Sequence, residues 1–119
     1  GWYAARGLYR SEELGGLSCQ RFCEAVRAEG VQTCTPGANA PLHLHPMFHT
    51  ADIFRQGKPT MIAFGQRDVR QGPGTLPVSE NVINSACSVP WFKKDRPDDI
   101  AEYAAAFRKV AEQADKLAH

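Results

Sequence analysis

The chain has 119 residues, 43% of them apolar and 23% charged, and a formal net charge of +1. That is the composition of an ordinary globular domain, and acids and bases are interleaved along it, so nothing electrostatic favours nucleic acid or a membrane surface as partner. No apolar run approaches the ~20 residues needed to span a bilayer, and no secretory leader pattern opens the chain. The first residue is Gly1 rather than methionine, and positions 2–10 already read as a strand interrupted by Gly7, so a fragment or tag remnant is expected. Gly15 and Gly16 punctuate the connection that follows. Ser18 is placed to N-cap a helix, and Cys19, Phe22, Cys23 and Val26 recur at i, i+3, i+4 and i+7 to give it one buried face. Gly30 ends that helix, because glycine takes the left-handed conformation without a Cβ clash. Positions 31–34 read as a second strand.

Between Pro36 and Phe48 the chain places Asn39, His43 and His45 among three prolines, Pro36, Pro41 and Pro46. A residue before proline is pushed out of the helical region, so Ala40 and His45 are expected in extended or polyproline geometry. Extended alternation would send His43 and His45 to one side and Leu42 and Leu44 to the other. Three readings stand at this point: a metal site, a substrate-contacting rim, or a structural crossover with hydrogen-bonded imidazoles. His-x-His can supply two ligands to zinc, and His49 and Cys34 lie near in sequence, but a catalytic zinc needs three protein ligands and no third has a diagnostic spacing. From 51 to 75 no period is sustained, and a stretch this long is expected to be functional or to pack on a partner. Pro77 opens a short helix with Val78, Val82, Ile83 and Ala86 on one side. Ser88 and Val89 form a short strand ended by Pro90. Pro97, Asp98 and Asp99 start the last helix, whose apolar positions Ile100, Tyr103, Ala104, Phe107, Val110, Ala111, Ala114 and Leu117 keep helical spacing. Few strands among amphipathic helices imply an α/β two-layer sandwich with a small, mostly antiparallel sheet and a long C-terminal helix, in one domain.

The four cysteines, Cys19, Cys23, Cys34 and Cys87, form no C-x-x-C pair. The expectation is buried, reduced thiols acting as small hydrophobes in a cytoplasmic protein.

A helix ending in Gly30-Val31, the Pro41-Leu42-His43 segment, Leu76-Pro77-Val78-Ser79-Glu80, Ser88-Val89-Pro90 and a long terminal helix follow in that order. Their order resembles the C-terminal small domain of the DegT/DnrJ/StrS-type sugar aminotransferases, which use pyridoxal phosphate. The resemblance covers residues 14–117. It implies a wall of the substrate cleft for a keto-sugar or keto-cyclitol, with Asn39, His43 and His45 as substrate-binding candidates, since a neutral imidazole offers one donor and one acceptor. It further implies the missing large domain and a second copy of the chain, as a homodimer, for partners. The cofactor belongs to that large domain: a transaminase needs a Schiff-base lysine, and Lys58, Lys93, Lys94, Lys109 and Lys116 match no such context. No catalytic residue and no cofactor are therefore expected in this chain itself. Trp91 and positions 61–64 are candidates to pack on a large domain or a second subunit, while Phe92 reads rather as ordinary core. Arg6, Arg10, Arg67 and Arg70 are weaker candidates for an anionic group. The alternative to the transaminase domain is a free-standing, non-catalytic module that binds a ligand or a partner.

Overall fold

The computed structural model describes residues 3–37 and 39–118, together with the backbone but not the side chain of Ala63. In chain order the elements are strand β1 (Arg6–Leu8), a 3-10 turn (Ser11–Leu14), helix α1 (Cys19–Ala28), a second 3-10 turn (Leu42–Leu44), the short helices α2 (Pro46–Thr50), α3 (Thr60–Ala63), α4 (Pro77–Glu80) and α5 (Val82–Ser85), strand β2 (Ala86–Ser88), the long helix α6 (Pro97–Glu112) and α7 (Ala114–Leu117). They divide into two compact units, one of residues 39–81 and one made from the flanking segments. The fold is thus mixed and mainly helical, with a two-stranded antiparallel sheet and a long C-terminal helix. No helix among the described residues is long and apolar enough to cross a membrane.

The first unit is built on α1. Ser18 Oγ accepts a hydrogen bond from the Arg21 N–H at 3.3 Å, satisfying one of the first-turn donors the helix leaves unpaired. Cys19, Phe22, Cys23 and Val26 face inward, as their spacing predicts. Gly30, at φ 104, ends the helix. Helix α6 packs against α1, with the Phe22 and Phe107 rings 6.1 Å apart, and Lys109 reaches Glu29 at 2.6 Å. Tyr9 stacks obliquely on Phe22 at 5.1 Å and donates its hydroxyl to the buried Leu17 carbonyl at 2.7 Å. β1 and β2 pair with Gly7 opposite Cys87.

Three local expectations are corrected here. The first strand is Arg6–Leu8 rather than 2–10; Trp2 lies outside the described residues. Residues 31–34 are a turn, closed by a Cys34 N–H to Val31 C=O bond of 3.0 Å, which sends Val31 and Cys34 together into the core. The chain then runs beside β2 only briefly: Ser88 and Gly37 donate to Thr35 and Ala86 carbonyls, while Pro36, with no N–H, contributes a single bridge to Cys87. In α6 and α7 the buried positions are Ala106, Val110 and Ala114, whereas Ile100 and Ala104 face outward and the helix is interrupted at Gln113. Pro97 does start α6 at its first turn with Asp98 and Asp99, where the helix dipole favours them.

Among the described residues, the second unit, 39–81, contributes none to the buried hydrophobic core. Carboxylates organise it instead. Asp52 accepts from the Gln56 and Gly57 N–H groups at 2.8 and 2.7 Å. Glu80 accepts from Gly74 at 2.8 Å and Leu76 at 3.1 Å, reaching back over the start of α4.

Candidate functional site

Within the second unit the proline-bracketed segment is not extended. Leu44 and His45 donate to the Pro41 and Leu42 carbonyls, both at 3.0 Å, closing a 3-10 turn. A turn of three residues per revolution points positions two apart in different directions, so His43 and His45 do not share a side. His45 keeps the expected pre-proline geometry, φ −67 and ψ 130, and Pro46 is the first residue of α2. The His45 Nδ1 accepts from the Met47 N–H at 3.2 Å, so this imidazole caps α2. Asn39 is exposed.

His43 is held differently. Its Nε2 lies 3.0 Å from Glu80 Oε1, and only 9% of its side chain is exposed. A carboxylate can only accept, so Nε2 carries a proton, and in the neutral form of the ring the lone pair is at Nδ1. The Gly74 N–H first, and His43 next, hold the Glu80 carboxyl below the ordinary glutamate range. His49 Nε2 donates to the His43 carbonyl at 2.7 Å, and Arg70 Nη1 donates to the His49 carbonyl at 3.0 Å. Asp68 fixes Arg70 in turn, its carboxylate meeting Nε and Nη2 at 3.0 and 2.7 Å, and this guanidinium draws the Asp68 carboxyl down to about 2. Asp68, Arg70, His49, His43 and Glu80 thereby form one connected series.

The series borders an open cavity of about 430 Å³, within the ~300–1,000 Å³ range of small-molecule sites. Leu42, Phe48, Met61 and Val69 give it apolar walls, and His43, Arg70, Gln71 and Ser79 supply polar groups. Its chemistry suits a small molecule with one apolar face and several hydroxyl or carbonyl oxygens, met by donors from Arg70, Gln71 and Ser79 and by the His43 acceptor. Of the three positions expected from sequence, His43 lines the cavity, His45 caps a helix, and Asn39 stands outside the lining. No local sequence pattern gives Glu80 or Gln71 a site role by itself. Glu80 carried a usable signal: it stands one position beyond the place where a capping-box glutamate reaches back to the start of a helix opened by Pro77.

All five lysines are exposed and none lines the cavity. The residues present therefore do not fit a covalently held pyridoxal phosphate. The histidines do not gather around Cys34 either. Among the described residues, the group with metal-ligand potential is Cys23, Cys34 and Cys87, buried in the first unit with their Sγ atoms within 4.8 Å of one another. Comparison of the chain with family models, with curated proteins and with solved structures gives no match.

Proposed function

We propose that the chain is the C-terminal domain of a pyridoxal-phosphate-dependent aminotransferase of DegT/DnrJ/StrS type, acting on a keto-sugar or keto-cyclitol and supplying one wall of its substrate cleft. One observation carries this reading. The Pro41-Leu42-His43 and Leu76-Pro77-Val78-Ser79-Glu80 segments, two of the ordered motifs behind the resemblance, meet through the His43–Glu80 pair at the edge of the open cavity. Glu80 sets the tautomer of His43, and the ring presents an acceptor to a hydroxyl of the ligand. In this reading β1 and β2 with α1 and α6 form the two layers of an α/β sandwich, and the cofactor and its lysine reside in the large domain. The outward apolar groove between α6 and the segment after β2, lined by Val89, Pro90, Phe92, Ile100 and Ala104, is the surface that a large domain or a second copy covers. The buried free thiols fit a cytoplasmic setting.

The cavity is lined entirely by residues of one unit, which favours a second reading, a free-standing ligand-binding module. Titration of the isotope-labelled chain with a keto-inositol, followed by amide chemical shifts, tests both. A wall of a larger cleft gives weak, saturable shifts at His43, Leu76 and Ser79, and His43→Gln weakens them by about 1–3 kcal/mol. Tight binding without any second domain selects the free-standing module. No shifts at these amides would exclude both roles for the cavity.

A further inference from the structure

Cys23 comes from α1, Cys34 from the turn after Gly30, and Cys87 from β2, so only the folded chain gathers them. Their relative exposures are 0%, 0% and 5%, and all are free thiols. Isolated buried cysteines serve as small hydrophobes. Three sulfurs within 4.8 Å of one another are a different arrangement. With metal–sulfur bonds of ~2.3 Å, tetrahedral thiolates stand about 3.8 Å apart, so contraction of about 1 Å would complete such a set. We propose that Cys23, Cys34 and Cys87 form a three-thiolate site for one thiophilic metal ion of the zinc(II) or copper(I) class.

Two further features fit a cation here. The Arg27 guanidinium donates to the Cys34 carbonyl at 2.7 Å, and Arg6 sits on β1 beside the Gly7–Cys87 pair. Three thiolates around a divalent ion leave one excess negative charge, which these two cations compensate. Access runs along the Cys87 side, where a cavity of about 480 Å³ is lined by Gly7, Cys87 and Val89. A Cβ at Gly7 would stand 3.4 Å from the Cys87 sulfur, so glycine keeps that approach open. The fourth cysteine, Cys19, donates its thiol to the Ala86 carbonyl at 3.3 Å and lies outside the trio. On binding, each of the three sulfurs forms a metal–sulfur bond, any proton it still carries goes to solvent, and no electron is transferred.

The test uses the full chain, reduced and under argon, titrated with cadmium(II) as a spectroscopic stand-in and with zinc(II). The expected result is a sulfur-to-cadmium charge-transfer band saturating at one ion per chain. Protons should be released on binding, and the thermal midpoint should rise, because the ion binds the folded state. Cys34→Ala should weaken binding by more than the ~100-fold that outer-shell changes cost, whereas Cys19→Ala should leave it unchanged. A midpoint unmoved by stoichiometric cadmium, undiminished binding in Cys34→Ala, or loss of binding in Cys19→Ala overturns the assignment. Should Cys34→Ala fail to fold, the wild-type charge-transfer band decides: saturation at one cadmium per chain with the intensity of three thiolate ligands supports the site, and the intensity of fewer overturns it.

Discussion

Tyr9→Phe isolates one hydrogen bond in the core of the first unit. The Tyr9 hydroxyl donates to the Leu17 carbonyl at 2.7 Å; the ring is 6% exposed and Leu17 1%. Phenylalanine keeps the ring and its contact with Phe22, so the change removes the donor and leaves a buried acceptor unpaired. Such a loss costs about 1–3 kcal/mol. At ~4 °C per kcal/mol for a chain of this size, the thermal midpoint should fall by about 4–12 °C. Burial first, and the neighbouring thiols next, push the Tyr9 phenol up from 10.0 to about 12. The unfolded chain ionises first, so the stability this phenol contributes is whole below pH 10 and is lost as pH rises toward 12. Phenylalanine has no such dependence, so the gap between wild type and variant should narrow over that interval. Urea unfolding followed by circular dichroism, at neutral pH and at steps through the alkaline range, measures both effects. Tyr3→Phe serves as control, since Tyr3 is 95% exposed. A Tyr9→Phe protein as stable as wild type, or a gap that does not change with pH, refutes the reasoning.

Gly37→Ala should cost about 2–4 kcal/mol in the same urea assay, combining left-handed backbone at φ 72 with a Cβ only 2.9 Å from the Ile83 Cα; an effect below ~1 kcal/mol would contradict it. Glu80→Gln should speed hydrogen exchange at the Gly74 and Leu76 amides. Acid should lower the protection of the same amides in wild type, once intrinsic exchange is divided out: the Glu80 carboxyl is depressed in the folded state, so its contribution is present above the ordinary glutamate range and fades as pH falls below it; protection indifferent to both changes would argue that the carboxylate does not hold this loop. The chain should self-associate at high concentration through the face that exposes Ile100 and Trp91, each 48% accessible, and Ile100→Glu should reverse this in light scattering. A monomer at every concentration would count against a partner-covered surface.

Features set by neighbours in sequence were legible. The Ser18 cap, the inward face of α1, the stop at Gly30 and the Pro97 start of α6 each depend on a few consecutive residues, and each is found in the fold. What failed depended on hydrogen bonds the periodicity does not encode. The apolar pattern of positions 31–34 fits a strand, yet a tight turn buries the same two side chains at i and i+3. Pleated alternation would put His43 and His45 on one side, and a 3-10 turn places them otherwise. In α6 the apolar stripe is wider than the surface α1 covers, so Ile100 and Ala104 keep helical spacing without being buried.

The candidate sites show the same division. His43 was visible because prolines bracket it, but its partner Glu80 lies 37 residues away, and no local pattern joins them. For the cysteines, burial followed from the reading of α1, but burial does not distinguish small hydrophobes from ligands. The two roles differ in how the sulfurs lie relative to one another, and that is set jointly by a helix, a turn and a strand. Zinc motifs are recognised when two ligands sit within one local turn, as in C-x-x-C. Here each ligand comes from a different element, so the set exists only once β2 is placed beside the turn that follows α1. A site assembled in this way ties ion affinity to the integrity of the fold, because separating any one of the three elements removes a ligand.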